Sequence, residues 1–430
     1  MATQVWIYFA AGTCAGLTHS HHHHHGRPAG NGEGRSRLLQ PHDDLTDRFT
    51  ERRLWIAVAV CAAITLIGLV SLWPRGQIAS GSSNELETGS LFGHRVEATV
   101  TGSVVAPCSY DPTLSCRQVS VHILTGASAP TDSSWEVSVD SATQHLSVGD
   151  EIYVYETTLA DGRVVYDFAD YQRGTPLLLL ALIFIVAVLA LARWKGLGAI
   201  GGLAASLLVL VVFMLPSLLR GNNAVAVALI GSSVIAFVAL YLAHGINIAT
   251  TVALLSTFAS LALIGLLAWI FVAATNFTGF TEDSSFVLSA LGVRIDARGL
   301  LLAGIVIGSL GVLDDVTVTQ VSAVWELRQL QPSASRQDIY RSAVNIGRDH
   351  ISSTVNTLFL TYAGAALPLM LLFAVAGQSI STVATSEVVA TEIVRSLVGS
   401  IGLVASVPIS TWMAARVLSV AGDQPMAAFE

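Results

Sequence analysis

The sequence has 430 residues, of which 53% are hydrophobic and only 12% are charged. A soluble domain carries about 25% charged residues, so this composition excludes a soluble globular protein and indicates an integral membrane protein. The net charge of −8 decides little, because the positions of Lys and Arg matter more than their sum in a membrane protein. No basic patch is interleaved with aromatic residues, so a nucleic-acid partner is not expected.

The segment 1–53 is predicted to be a disordered, cytoplasmic tail. It contains the run HSHHHHHG at 19–26, which begins a low-complexity stretch. Clustered imidazoles bind zinc, nickel or copper. An engineered tag and a tail without a metal role are alternative interpretations. The candidate metal ligands are His21, His22, His23, His24 and His25.

Eight apolar stretches follow, each close to the roughly 20 residues that a spanning helix needs. They are Leu54–Trp73, Leu177–Ala192, Leu197–Leu219, Ala224–Ala243, Ile248–Ala274, Gly299–Leu327, Ile351–Ala376 and Val394–Val417. Arg and Lys cluster before the first stretch, after the second and after the sixth, which the positive-inside rule places in the cytoplasm. Both termini, including the tail 418–430, are then cytoplasmic. The sequence therefore predicts an α-helical polytopic membrane protein with about eight transmembrane helices.

The polar segment 74–176 is predicted to be a small extracytoplasmic all-β domain inserted between the first two membrane helices. Alternating, β-branched-rich runs bounded by turns are typical of antiparallel strands. Five short strands in this length suit an OB-like barrel, although an ordinary meander would give the same pattern. The predicted strands are Arg95–Val105, Arg117–Leu124, Trp135–Val139, Glu151–Thr157 and Val164–Tyr171.

Two cysteines of this domain, Cys108 and Cys116, flank a short loop in the sequence PCSYDPTLSC. Outside the membrane they can oxidise, and a loop rich in turn residues can bring their Cα atoms within bridging distance. A metal or redox pair is the alternative, but no neighbouring His or Cys completes such a site. We therefore expect a structural disulfide.

Two adjacent aspartates, Asp314 and Asp315, lie within the sixth apolar stretch. A carboxylate at membrane depth is costly, so it indicates a functional site. The glycines before these aspartates and the β-branched residues after them favour a discontinuous helix that lines a hydrated cavity. Alternatively, the span ends near Leu313 and Thr317–Trp325 forms a helix at the membrane surface.

Further polar residues open the seventh and eighth stretches. Arg348 is the expected partner of Asp314 or Asp315, since the connecting loop is short and both ends are cytoplasmic. Glu392 and Arg395 are one helical turn apart and can form an ion pair that anchors the outer end of the last helix.

Four segments resemble the YibE/F family of bacterial membrane proteins over about residues 175–417. They are HGINIATTVALLST (244–257), GSLGVLDDVTVTQVSAVWEL (308–327), NIGRDHISSTVNTLFLTYAGAALPLML (345–371) and EIVRSLVGSIGLVASVPISTWMAA (392–415). The resemblance implies a multi-spanning protein of the bacterial cytoplasmic membrane, in a family sometimes suspected of transport. It supplies no catalytic residues.

Transport is the function that these features favour, with a polar site between the sixth and seventh helices. Carboxylate and hydroxyl ligands suit Mg²⁺, Na⁺ or H⁺, and no phosphate-binding loop for ATP is present. A structural or regulatory component, whose β domain binds an envelope protein, is the alternative. An intramembrane hydrolase is disfavoured because both aspartates come from one segment. The candidate ion-binding residues are Asp314, Asp315, Thr317, Thr319, Gln320, Arg348, Asp349, Thr354 and Asn356.

Overall fold

The computed structural model describes residues 48–75, 94–109, 111–126, 129–138, 146–159, 162–279 and 296–418. The chain divides into two compact units, and the first, Met1–Asp44, lies outside the described residues together with its histidine run. The predicted carboxyl-terminal tail also lies outside them, apart from its first residue. The described residues all belong to the second unit, Leu45–Glu430.

Ten α-helices occupy the described part of this unit: α1 Arg48–Ser71, α2 Gly174–Val209, α3 Leu215–Leu219, α4 Ala224–His244, α5 Ile248–Ala274, α6 Ala297–Leu330, α7 Arg336–Ala365, α8 Leu367–Val375, α9 Ile380–Thr385 and α10 Glu387–Val417. A positive φ of 52° at Arg193 kinks α2 into two spans. One π-helical turn, Leu210–Met214, joins α2 to α3.

The number of membrane-spanning helices agrees with the prediction. Among the described residues, seven helices are long and apolar enough to cross a membrane. The pair α7 and α8, bent by 55°, makes an eighth span when it is counted as one. Pro368 lies at the start of α8, where it fits the first turn of a helix but cannot continue α7 without a break. The structure is therefore a bundle of seven or eight apolar helices.

Helix α6 lies at the centre of the bundle and packs against α4, α5, α7 and α10. The bundle is held by close contacts at small residues as well as by apolar side chains. At Gly402 of α10, an added Cβ would overlap the side chain of Ile264 on α5. Glycine therefore sets how closely these two helices approach, as is common in membrane bundles. By contrast, no residue in the most apolar stretch of the first span of α2 is buried by other helices, so this surface is free to contact lipid.

Three asparagines form hydrogen bonds at helix ends. Two of them cap helices, and the third contacts the chain that follows α1. Asn223 and Asn247 are the N-caps of α4 and α5, and each side chain accepts a hydrogen bond from a backbone N–H of the first turn. After α1, the backbone carbonyl of Leu72 accepts hydrogen bonds from the Ser217 hydroxyl at 2.8 Å and the Asn222 amide at 3.3 Å. The chain therefore leaves α1 beside the connection between α3 and α4.

The five strands of the β domain are β1 His94–Pro107, β2 Ser115–Ile123, β3 Thr131–Ser138, β4 Glu151–Thr158 and β5 Val164–Tyr171. They form one antiparallel sheet in the order β3-β2-β1-β4-β5, and the edge strands β3 and β5 contact each other. Apolar side chains of all the strands face one core. The sheet therefore curves into a half-barrel, and register shifts at Val100/Gly102 and Tyr153/Val154 accompany the curvature.

One strand begins earlier than the sequence pattern predicts. β3 starts at Thr131, whereas apolar alternation first appears at Trp135. The residues Thr131–Ser134 pair with β2 through the backbone, from Ile123↔Thr131 onward. An edge strand needs no apolar face along its full length to form these hydrogen bonds, so periodicity alone misses its start.

The structure contains the predicted disulfide between Cys108 and Cys116, whose Cα atoms are 4.8 Å apart. The bridge joins the end of β1 to the start of β2. Next to it, the backbone N–H and hydroxyl of Ser109 donate hydrogen bonds to Glu136 on β3. These hydrogen bonds hold the pKa of the Glu136 carboxyl below its usual range, and the bond from the backbone N–H has the largest effect. Three strands are thereby connected at one end of the sheet.

We expect the double substitution Cys108→Ser/Cys116→Ser to destabilise the β domain by about 2–3 kcal/mol. Without the bridge the unfolded chain has more conformational entropy, so folding costs more free energy. Hydrogen exchange of the β1 and β2 amides in the intact protein measures this locally. The control is Cys61→Ser, which removes a free cysteine of α1. Equal exchange in the double variant and the control would show that the bridge contributes nothing to stability.

We expect Gly402→Val to destabilise the bundle by about 1–3 kcal/mol, because the new side chain must displace Ile264 from its contact with α10. Thermal unfolding in detergent measures the change. Gly364→Ala is the matched control, since an added Cβ there meets nothing within 4 Å and alanine favours a helix. A Gly402→Val variant as stable as this control would contradict the close packing described above.

Candidate functional site

Helix α6 is continuous from Ala297 to Leu330, so the prediction of a discontinuous helix at the aspartates is wrong. The alternative, in which the membrane span ends near Leu313 and Thr317–Trp325 lies at the membrane surface, stays a prediction, and the helix itself continues through these residues. The glycines of α6 are tolerated because neighbouring helices pack on both its halves. On an unbroken helix, adjacent residues point about 100° apart. Asp314 and Asp315 consequently face different neighbours.

Asp314 lies beside α5, next to a pair of threonines. The hydroxyls of Thr257 on α5 and Thr317 on α6 are hydrogen-bonded to each other at 2.8 Å, and both residues are fully buried. Thr257 also interacts with the Asp314 carboxyl. The Oδ1 atom of Asp314 is buried and has no hydrogen-bond partner among the described residues. A carboxyl oxygen is thus enclosed beside two hydroxyl oxygens inside the bundle.

Asp315 is exposed and faces α7. Its Oδ2 atom lies 3.8 Å from Nε2 of His350, which is beyond hydrogen-bonding distance. The predicted partner, Arg348, is exposed and donates instead to Asn345 at 3.4 Å. Because α7 is helical here, residues 348 and 350 point about 200° apart. The pairing of Arg348 with either aspartate is therefore wrong in this structure, and His350 takes the position facing Asp315.

Gln320 connects three helices. Its Nε2 atom donates to the backbone oxygen of Ala343 on α7 at 2.6 Å and to the hydroxyl of Thr411 on α10 at 2.8 Å. Gly347 makes room for it, since an added Cβ would lie 2.7 Å from Gln320 Oε1. The residue is buried, and these contacts fix α6, α7 and α10 relative to one another. The sequence predicts Gln320 as an ion-binding residue, whereas in the structure its amide nitrogen makes the contacts that hold the helices.

The other candidate residues are not gathered around Asp314. Thr319 is exposed and donates to the backbone oxygen of Asp315, and Thr354 donates to that of His350. Asp349 and Asn356 are exposed on α7. Within the described ranges, no three His, Cys, Asp or Glu side chains are grouped as metal ligands. Any cation at Asp314 would therefore depend on one carboxylate with hydroxyl or carbonyl oxygens.

Thr257 is not among the site residues predicted from the sequence, and it belongs to the polar side of an otherwise apolar helix. The signal was present in the repeated Ser and Thr of α5, of which five are buried: Thr250, Thr251, Ser256, Thr257 and Ser260. Small hydroxyl side chains are common wherever membrane helices pack closely. They do not by themselves reveal which one lies against a carboxylate on another helix.

Glu392 and Arg395 form an ion pair of 2.9 Å in the first half of α10. Their side chains are only 21% and 19% exposed. The guanidinium also lies over the ring of Tyr362 on α7, at 5.9 Å from the ring centre. The role of this pair in anchoring the end of the helix stays a prediction. Both side chains are largely buried, so the pair packs inside the helix bundle.

A family model described as YibE/F-like protein matches residues 180–420, which is more than half of the chain. The chain belongs to the YibE/F-like family. With its long apolar helices, it is an integral membrane protein. The match extends over α2 to α10, including Asp314 and Arg395, and leaves α1 and the β domain outside. Neither the curated proteins nor the solved structures contain a match to this chain.

We expect Thr411→Val to destabilise this YibE/F-like protein by about 1–3 kcal/mol, because it leaves one N–H of the buried Gln320 amide without an acceptor. Thermal unfolding in detergent measures the loss. Thr411→Ser is the matched control, as it keeps the hydroxyl and removes a methyl group. If Thr411→Ser proved the more destabilising of the two, packing at this position would outweigh the hydrogen bond.

Proposed function

We propose that this YibE/F-like protein is an ion-coupled membrane transporter whose coupling ion binds at Asp314. One observation carries the proposal: Oδ1 of Asp314 is buried inside the bundle without a hydrogen-bond partner among the described residues, beside the hydroxyls of Thr257 and Thr317. An ionised carboxylate in this position is costly. A bound proton or cation would remove that cost, so occupancy of the site would alter the stability of the helix packing around it.

The charge of the site favours a monovalent ion. A single carboxylate balances one positive charge, and threonine hydroxyls add neutral oxygens. Mg²⁺ would need further charge compensation and usually keeps several waters. H⁺ or Na⁺ is therefore the preferred ligand in this proposal. Stabilisation by Mg²⁺ in place of these ions would contradict that preference.

Helix α7 is the element most suited to move during a transport cycle. Only four of its residues are buried: Ile339, Ala343, Gly347 and Leu358. It is bent by 55° where it joins α8, and its contact with α6 includes the loose Asp315–His350 approach of 3.8 Å. A shift of α7 would break the Gln320 hydrogen bond to Ala343 and give water access to the neighbouring face of α6. This would be a gating motion about an intact central helix.

The proposal includes an orientation in the cytoplasmic membrane of a bacterium. Both termini lie in the cytoplasm, as the Arg and Lys clusters favour. The β domain is then extracytoplasmic and OB-like, since its strand order and the contact between β3 and β5 are compatible with such a barrel. Its partner would be a protein of the cell envelope. No hydrolytic activity is proposed, because Asp314 and Asp315 diverge on one continuous helix.

The test is ion-dependent thermal stability of the protein in lipid nanodiscs. We expect Na⁺ or acidic pH to stabilise the wild type, by about 2.7 kcal/mol when the ion is at 100 times its Kd. Asp314→Asn should abolish this response because it removes the carboxylate that the described residues contribute to the site. Asp315→Asn is the matched control and should keep the response, since that side chain is exposed.

Choline chloride at equal ionic strength separates specific binding from salt effects. A response that survives in Asp314→Asn, or is lost only in Asp315→Asn, would refute Asp314 as the ion site. Identical behaviour of all three proteins under every ion and pH would refute ion coupling. It would favour instead the alternative function, an envelope component that acts through its β domain.

A further inference from the structure

A cavity of about 290 Å³ lies where α6 and α10 begin, away from the aspartates. Its wall is formed by the π-helical turn, α3 and the first turns of α6 and α10. Among the described residues, the wall is apolar except for two side chains, Thr391 and Arg395. Ligand sites of this kind, mostly apolar with a few converging polar groups, are the usual form of small-molecule pockets, which begin at about 300 Å³.

Both polar side chains of the wall carry a buried atom that lacks a partner. Oγ1 of Thr391 and Nε of Arg395 have no hydrogen bond to any described residue. Glu392 accepts a hydrogen bond from Nη1 of the same guanidinium, at 2.9 Å. The opposite edge of the guanidinium, formed by Nε and Nη2, is the edge that binds a carboxylate through two parallel hydrogen bonds. This edge is therefore available for a ligand.

Two glycines of α6 lie beside the guanidinium and its aromatic neighbour, and Gly308 makes room for the Tyr362 hydroxyl. An added Cβ at Gly304 would lie 3.7 Å from Nη2 of Arg395, and one at Gly308 would lie 2.8 Å from the hydroxyl of Tyr362. Glu392 holds one edge of the guanidinium and Tyr362 covers its face. Arg395 is thus held in one orientation before any ligand arrives.

The cavity extends to the surface of the bundle. Leu215, which lines it, is 47% exposed, whereas Met214 and Leu301 in the same wall are buried. An opening beside an exposed leucine of an apolar helix bundle would admit an apolar molecule from the bilayer. The volume of about 290 Å³ suits one hydrocarbon chain better than the two chains of a phospholipid.

We propose that this cavity binds a fatty acid, with the hydrocarbon chain against the leucine-rich wall and the carboxylate on the Nε–Nη2 edge of Arg395. The Thr391 hydroxyl donates a further hydrogen bond to the same carboxylate. This pairing gives partners to both orphaned polar atoms and fills an apolar space. The site is separate from Asp314, which lies about 15 Å further along α6 from Gly304.

The experiment is native mass spectrometry of the full-length protein in non-ionic detergent, titrated with oleate and, in parallel, with oleyl alcohol. We expect one oleate per protein and at least tenfold weaker binding of the alcohol, because it lacks the carboxylate. Ile307→Trp and Leu218→Phe fill the cavity from different helices and should each weaken oleate binding at least tenfold. Ile401→Trp, on the exposed face of α10, is the matched control and should bind as the wild type does.

A second pair of variants tests the head group. Glu392→Gln/Arg395→Gln removes the ion pair without leaving an unpaired buried charge, and should reduce the preference for oleate over the alcohol to less than threefold. Asp314→Asn should bind oleate normally, so failure of the ion-coupling proposal would leave this one standing. Unchanged oleate binding in both cavity-filling variants, or equal binding of oleate and oleyl alcohol to the wild type, would overturn the proposal.

Discussion

The lack of water in a bilayer is the constraint on which this bundle depends, because buried polar groups must find partners within the protein. The serines and threonines of α5 and α10 largely meet it inside their own helix. Ser256, Ser410 and Thr411, for example, each donate to the carbonyl four residues earlier. Helices whose polar groups are hydrogen-bonded internally can pack by shape alone, so a glycine such as Gly402 can determine their separation. Buried polar atoms that have no partner in their own helix then indicate where a ligand or a neighbouring helix is needed.

Two such groups lie on or beside α6, at different depths. Asp314 is held against α5, and Arg395 of α10 lies against Gly304 in the first half of α6. Because α6 is continuous and packs on four neighbours, both environments share one stiff element. The Gln320 amide adds a direct connection to α7 and α10 near the cytoplasmic end in the proposed orientation. Motion is thus more plausible in the surrounding helices than in α6 itself.

The number and position of the membrane helices follow from hydrophobic length, so the sequence predicts them well, and period-two alternation predicts four of the five strands closely. The neighbours of each polar residue cannot be predicted in the same way. Thr257 reaches Asp314 only through packing of α5 on α6, which no local pattern encodes. His350 rather than Arg348 faces Asp315 because of helical phase. The broken helix was expected from glycines and β-branched residues, but tertiary packing outweighs these weak local preferences.

The π-helical turn has a mechanical consequence for the helices that it contacts. Phe213 in that turn stacks on Trp73, the residue from which the chain departs toward the β domain, and Met214 fills the gap over Gly231. Ser217 holds the adjacent carbonyl of Leu72. Contacts from α1 and α4 thus meet at one under-wound turn. A displacement of the end of α1 would therefore be transmitted to the junction of α2 and α3.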